Sequence, residues 1–342
     1  MRILLIGGNG FIGAPLTREL LEWGHEVSIL HRSHGDSGNK LCHIHGDRNH
    51  LPSCREAIQA FSPDVIVDLI LSSGRQARES MDLARGIAPR LVALSSQDVY
   101  RAWGVLKGVE PGELEPLPIT EDSALRSTRK LYPPEAIRAL QGILGWVNEE
   151  YDKLAVEQAV LNRPDVAGTV LRLPMIYGPG DRFHRFFPLL KRIADGRRSI
   201  LLGDDLAAWR GPRGYVDDVA HAIALGTVSE KAAGRIYNVC EEPCASEAEW
   251  EKRIASQTNW AGEFVVLPAS RAPRHLRLAE NPKQHIVVSS EKIRTELGYT
   301  EVIDTEEAMR RTISWEEAHP PAKVDLEQFD YAAEDQALSS AA

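Results

Sequence analysis

Short apolar runs alternate with longer amphipathic stretches from the start of this 342-residue chain. Residues 2–6, 26–30, 41–45, 64–69, 90–96, 169–173 and 235–239 are apolar runs of five to seven residues, the length of strands rather than helices. Residues 15–21, 53–61, 76–87, 148–161 and 216–225 instead carry apolar side chains at helical spacing. The run Val65-Ile66-Val67 is apolar on both faces, as in a strand covered from both sides. Strands alternating with helices predict an α/β fold with a doubly wound parallel sheet. The pattern dissolves over residues 104–129 into Gly, Pro and charge, which predicts a long loop. Residues 174–212, rich in Gly, Pro and Arg, predict part of a second, smaller lobe, and the chain from 245 onward reads as mixed α/β. The tail from 321 to 342 ends in small polar residues and is expected to be disordered.

The join between the first strand and first helix carries the strongest chemical signal. Gly7-Gly8-Asn9-Gly10-Phe11-Ile12-Gly13 sits between the two, with glycines at both G-x-G-x-x-G and G-x-x-G-x-x-G spacing. In that setting the first glycines allow a tight turn, and Gly10 lets backbone approach a pyrophosphate. Gly13 lets helix and strand pack closely, and the amides at the helix N-terminus receive the anion. A glycine turn that binds nothing is the competing reading, and the strand–turn–helix setting argues against it.

Composition narrows the field. The net charge is −9, with 26% charged and 43% hydrophobic residues, so a soluble globular protein is expected and a nucleic-acid surface is disfavoured. No run reaches the ~18 apolar residues of a membrane span, and Met1-Arg2 leads into a strand rather than a signal peptide. Four cysteines are no disulfide framework, and a cytoplasmic location is expected. Cys42, His43, His45, His50 and Cys54 lack the paired spacing of a metal site, and residues 41–45 alternate like a strand. Cys240 and Cys244 flank a turn and are read the same way.

Six motifs in order make the chain resemble the extended, in part atypical, short-chain dehydrogenase/reductase family, the NAD-dependent epimerase/dehydratase group. They are Gly7-x-x-Gly10-x-x-Gly13, Leu94-Ser95-Ser96-Gln97-Asp98-Val99-Tyr100, Lys153-Leu154-Ala155-Val156-Glu157, and the run from Leu171 to Gly180. Gly214-Tyr215-Val216-Asp217-Asp218-Val219-Ala220 with Gly234–Val239 follows, and Glu296-Leu297-Gly298-Tyr299 comes last. The resemblance implies a Rossmann-type domain over 1–172 plus about 213–242, and a C-terminal α/β substrate lobe over 173–212 plus 243–320. It implies an NAD(P)-dependent epimerase, dehydratase or reductase acting on a hydroxyl or keto group of a sugar, sugar nucleotide or similar metabolite. A small-molecule substrate and a homodimer are the expected associations. The alternative is a catalytically altered, NADP-bound regulatory or RNA-binding relative.

The resemblance breaks at the catalytic register. The family carries Tyr and Lys four residues apart, with a Ser or Thr on the preceding strand end. Here Ser96 and Lys153 match, but Glu149 stands where the Tyr belongs, and Tyr151 is only two residues before the lysine. On a regular helix, positions two apart face nearly opposite ways. Three readings follow. Tyr151 precedes the wound helix and swings into the site; Glu149 replaces it; or Glu149–Lys153 is a surface ion pair at a lost site. The first is favoured, because a glutamate beside a lysine is a poor acid at neutral pH.

The second strand ends Leu30-His31-Arg32, without the acid that would accept an NAD ribose. Arg32 offers a fork suited to a 2′-phosphate, so NADP is favoured over NAD, although stacking on adenine would serve either. The resemblance adds Phe11, Ile12, Asp47, Leu69, Ile70, Lys153 and Pro174 to the cofactor contacts, Asp47 being equally an ordinary turn residue. Arg182, His184 and Arg213 are candidate substrate ligands near strand ends, or else solvent-facing charges. Met175 occupies the place where sugar-nucleotide epimerases tend to carry Asn.

Overall fold

The computed structural model describes residues 1–32, 41–278 and 281–340. A seven-stranded sheet forms its centre. Its first strands are β1 (Arg2–Ile6), β2 (Glu26–His31), β3 (Cys42–His45), β4 (Val65–Asp68), β5 (Arg90–Ser96) and β6 (Ala167–Leu173). The short strands β7 (Met175–Tyr177), β8 (Ser199–Gly203) and β9 (Arg213–Tyr215) follow, then β10 (Ile236–Asn238) and β11 (Glu263–Leu267). The sheet order is β10-β6-β5-β4-β1-β2-β3, and every pairing is parallel. This is the doubly wound Rossmann-type order, with its switch point between β1 and β4, where such sheets bind ligands. β7 pairs with β9 and β8 with β11 in two small parallel sheets beyond the C-terminal end of β6.

Apolar runs make the central strands because both faces are covered. Ile3, Leu4, Leu5 and Ile6 are fully buried, as are Val65, Ile66 and Val67. α1 (Gly13–Glu22) covers one face with Leu16 and Leu20, and α2 (Arg55–Phe61) adds Ile58 and Phe61 to the core on the other. α3 (Gly74–Ala84) buries Ala77 and Met81, and α4 (Arg101–Leu106) follows β5. α5 (Pro134–Leu144) and α6 (Lys153–Leu161) precede β6. α3 packs on α6 so closely that a Cβ at Gly74 would lie 2.7 Å from the Ala155 methyl. α7 (Phe187–Ala194) and α8 (Asp204–Ala208) surround β8, and α9 (Val216–Val228) packs beside α1. α10 (Glu247–Ser256), α11 (Glu291–Leu297), α12 (Thr305–Ala318) and α13 (Tyr331–Ser339) complete the chain. No helix among the described residues is long and apolar enough to cross a membrane.

Two local expectations need correction, and one helix was not expected. The helix expected from 148 begins at Lys153, because the Asp152 side chain caps it by accepting from the Ala155 amide at 3.2 Å. Residues 148–152 are held outside it by Ser72, whose hydroxyl accepts from the Asn148 amide and whose carbonyl accepts from the Asp152 amide. α5 lies in a stretch that showed no assigned element; its proline start and Gly145 in left-handed conformation mark its ends. The tail is not disordered over 326–340: α13 docks onto the protein, with Glu334 fully buried against Arg192 and His275.

Candidate active site

The glycine turn is shaped by two different demands. Gly7 adopts a φ of +89°, and a Cβ on Gly13 would lie 2.5 Å from the Gly7 carbonyl oxygen and 2.6 Å from the Gly8 carbonyl carbon. Those two glycines are required by the fold itself. Gly10 is exposed, and a Cβ there would meet only the Gly7 oxygen at 3.4 Å. The space above Gly10 is thus open, as a pyrophosphate resting on the N-terminus of α1 requires. The residues present fit a nicotinamide dinucleotide. Ile70 crowds Gly7 from the end of β4, with its Cγ2 2.9 Å from where a Gly7 Cβ would be, and Leu69 is buried beside it. Asp47 caps the turn after β3 by accepting from the Asn49 amide at 2.9 Å. Arg32 is exposed at the end of β2, while the adjacent His31 is buried and bonded to His43 at 2.7 Å. No group of three or more His, Cys, Asp or Glu is arranged to hold a metal among the described residues.

The end of β5 and the start of α6 form a second cluster. Ser96 Oγ accepts from the Asp98 amide at 3.1 Å. Asp98 is buried, and its Oδ2 accepts from the Tyr151 hydroxyl at 2.9 Å. Tyr132 also bonds Asp98, and its ring meets that of Tyr151 edge-on at 5.9 Å. Arg126 is buried beside them, with its Nε donating to the Asp98 carbonyl at 2.7 Å. Burial raises the pKa of Asp98. Burial first, and then the Asp98 carboxylate, hold Tyr151 well above an ordinary phenol, so Tyr151 is protonated.

Lys153 is buried, and its Nζ donates to the carbonyls of Leu71 at 2.6 Å and Leu94 at 3.0 Å. The Trp146 ring covers the ammonium at 5.5 Å. Burial pulls this lysine down to about 8, against the pull of Asp98, Asp68 and Glu157. The helix that carries it is pinned from behind. Glu157 accepts from Ser95 at 2.6 Å and from two nitrogens of Arg172 at 2.9 and 2.8 Å. Arg172 also donates to the Tyr100 hydroxyl at 2.8 Å, and Tyr100 to Asn238 at 2.7 Å. This network links α6 to β5, β6 and β10 with its charges paired.

The site therefore joins Ser96, Tyr151 and Lys153 and leaves Glu149 out. Glu149 is exposed and precedes α6, so it is not one helical turn from Lys153. Asp98, Arg126, Tyr132 and Trp146 were not anticipated. Asp98 stood inside a quoted motif, whereas nothing in the pattern around the other three marked them. The candidate substrate residues separate. Arg182 and His184 line a cavity of about 830 Å³ together with Gly10 and Phe11, and Arg182 Nη1 donates to the Ile143 carbonyl of α5 at 3.2 Å. Arg213 does not line that cavity. Its guanidinium is paired with Glu247, lies 4.6 Å over the Trp250 ring and donates to the Gly211 carbonyl. Pro174 packs toward β9, its Cγ 3.0 Å from where a Gly214 Cβ would be.

Comparison with known proteins agrees with this geometry. The model of the NAD dependent epimerase/dehydratase family matches residues 3–102 and 127–240. A 3-diazoavenalumate denitrifying reductase from a Streptomyces species is 27% identical over 276 residues, 81% of this chain and 87% of that one. A UDP-glucose 4-epimerase from Corynebacterium glutamicum is 26% identical over 339 residues, 88% and 91% of the two chains. The structure of MoeE5 in complex with UDP-glucose and NAD superposes with a TM-score of 0.65 at 20% identity, covering 93% of this chain and 99% of that one. With the glycine turn, the strand-end serine and the buried lysine in one parallel sheet, and a family match over more than half its length, the chain belongs to the NAD-dependent epimerase/dehydratase family.

Proposed function

We propose that this enzyme uses a nicotinamide dinucleotide to act at a hydroxyl- or keto-bearing carbon of a sugar nucleotide or a similar small metabolite. The observation that carries the reading is the position of Tyr151. It precedes α6, so its hydroxyl reaches Asp98, two residues past Ser96, although it stands only two residues before Lys153. The bound dinucleotide supplies hydride acceptance and donation. Tyr151, held protonated, would turn its hydroxyl from Asp98 to the substrate oxygen and give it the proton as a keto group is reduced, and take it back in the reverse direction. Ser96 Oγ hydrogen-bonds the same oxygen. Asp98 positions the Tyr151 hydroxyl before the substrate arrives, and Lys153 would hold the nicotinamide ribose. The UDP-glucose 4-epimerase relative and the UDP-glucose in the MoeE5 structure support the substrate class.

For the choice of dinucleotide, Arg32 supports NADP, since His31 and Arg32 rather than an acid follow Leu30 at the end of β2. The NAD in the MoeE5 structure weighs for the other cofactor, which makes Arg32 the residue to test. The reading of a non-catalytic or RNA-binding relative is not favoured by any feature of the site, where Lys153 and Tyr151 are both buried or bonded for a purpose beyond an exposed ion pair.

The test is dinucleotide binding followed by nicotinamide fluorescence. The wild type is expected to bind NADPH or NADH. Gly10→Val puts a branched side chain into open space, so it is expected to fold with unchanged circular dichroism and lose binding. Absence of binding by the wild type, or full binding by Gly10→Val, would overturn the proposal.

A further inference from the structure

The cavity beside the glycine turn shares Gly10 and Phe11 with the dinucleotide site and extends beyond it. None of Ser96, Tyr151, Asp98 and Lys153 lines it. Three guanidinium groups do: Arg18 from α1, Arg182 from the loop after β7, and Arg311 from α12. Asp217 is the one carboxylate residue on its wall among the described residues. Arg18 approaches Asp217 at 3.3 Å and Arg311 at 3.7 Å, yet their side chains remain 59% and 44% exposed. The lining thus carries three cations against one acid, with Arg311 Nε also taken by Glu307 at 2.8 Å and Arg182 Nη1 by the Ile143 carbonyl at 3.2 Å.

Two further features point the same way. The thirteen-residue α9 begins at this cavity through Tyr215-Val216 with Asp217 in its first turn, and α1, whose N-terminus takes the dinucleotide, borders it through Gly10-Phe11. Part of the lining is a stack of rings. His184 stacks on Trp315 at 5.6 Å, and Trp315 on His319 at 5.2 Å, with interplanar angles of 21° and 16°. His184 is fixed there by Glu316 and holds a backbone φ of +50°, a conformation that costs a non-glycine residue energy unless its surroundings impose it. A volume of about 830 Å³ lies within the range of small-molecule sites.

We infer that this cavity binds a phosphorylated small molecule as a second ligand, beside the dinucleotide and apart from the tyrosine–lysine centre. The planar forks of Arg18, Arg182 and Arg311 match phosphoryl oxygens in pairs, and the start of α9 faces the remainder, the N-terminus of α1 being taken by the dinucleotide. Gly10 and Phe11 form a wall common to this cavity and the glycine turn, so the two ligands are neighbours. The ligand also bridges α1 and α9 of the Rossmann-type sheet to α12 near the C-terminus.

The test is calorimetric titration of inorganic pyrophosphate into the full chain, alone and saturated with NADPH. The wild type is expected to bind one equivalent that survives saturation with the dinucleotide. Arg18→Gln combined with Arg311→Gln is expected to weaken that equivalent by at least about tenfold, and Arg182→Gln, made separately, by several-fold. All three positions are solvent-facing, and unchanged circular dichroism checks folding. Loss of the pyrophosphate equivalent on adding NADPH would overturn the inference and make the cavity the mouth of the dinucleotide site. Unchanged affinity in the double variant would overturn it as well. Should neither dinucleotide bind, the proposed enzyme function fails on that ground alone. The titration of the dinucleotide-free protein and its double variant still decides the cavity.

Discussion

At the level of single residues, chemistry in this site depends on where a side chain is released from regular structure. Tyr151 and Lys153 would face apart on one helix. They meet the same strand end because Asp152 starts the helix between them. The cap could be read in the sequence, as an aspartate three residues before Ala155, but the hold of Ser72 on Asn148 and Asp152 could not, since it joins positions 76 or more apart. The same contrast holds for charge. Ser96, Lys153 and the glycine turn were legible from spacing. The partners Asp98 and Tyr132 were not, because their meeting depends on the irregular path of residues 107–133. At Arg32 the question is cofactor choice. Arg32→Ala is expected to weaken NADPH binding by about 1.5–3 kcal/mol, the worth of a hydrogen bond to a charged group, and to leave NADH affinity nearly unchanged. Dissociation constants for both nucleotides check it, and equal wild-type affinities would assign Arg32 no part in the selection.

At the level of elements, α6 matters because it carries the lysine, and the Glu157–Arg172 pair holds it. Both side chains are almost wholly buried, at 5% and 1% exposure. Glu157→Gln keeps the shape but leaves Arg172 without its carboxylate in a low-dielectric setting. A loss of about 3–5 kcal/mol is expected, read as a lower denaturant midpoint at unchanged slope. A cost below about 1 kcal/mol would mean that Arg172 recovers through Tyr100 and the Glu121 carbonyl. Strands β1, β2, β4, β5 and β6 were legible because burial on both faces leaves an unbroken apolar signature. α5 was not. Its apolar residues Ile137, Leu140, Ile143 and Leu144 are only partly covered, and none of its eleven residues is fully buried, so the stretch gives a weaker signal than a core helix.

At the level of the whole molecule, the parallel sheet gathers the glycine turn, Ser96 and Lys153 at its C-terminal edge, and the later segments close around it. The tail is part of that closure. Its composition suits disorder, yet Glu334 is drawn fully into the protein by Arg192, Arg197 and His275, and Ala337 with Leu338 covers the apolar group around Leu201 and Leu276. A low-complexity end gave no hint of this, because the complementary charges lie on distant elements. Ending the chain after Pro320 is expected to lower stability by on the order of 1–3 kcal/mol, since Arg192 loses both its carboxylate and the Gln328 carbonyl. Thermal melts of the full and shortened chains check this, and coincident melts would show that the tail adds nothing. The measurement that bears most directly on the account is steady-state turnover of UDP-glucose and related sugar nucleotides by the wild type, Tyr151→Phe and Glu149→Gln. Loss of the phenolic proton is expected to lower kcat by about 10²–10⁴-fold, with Glu149→Gln at the wild-type rate. Full activity in Tyr151→Phe, or its loss in Glu149→Gln, would contradict the assignment.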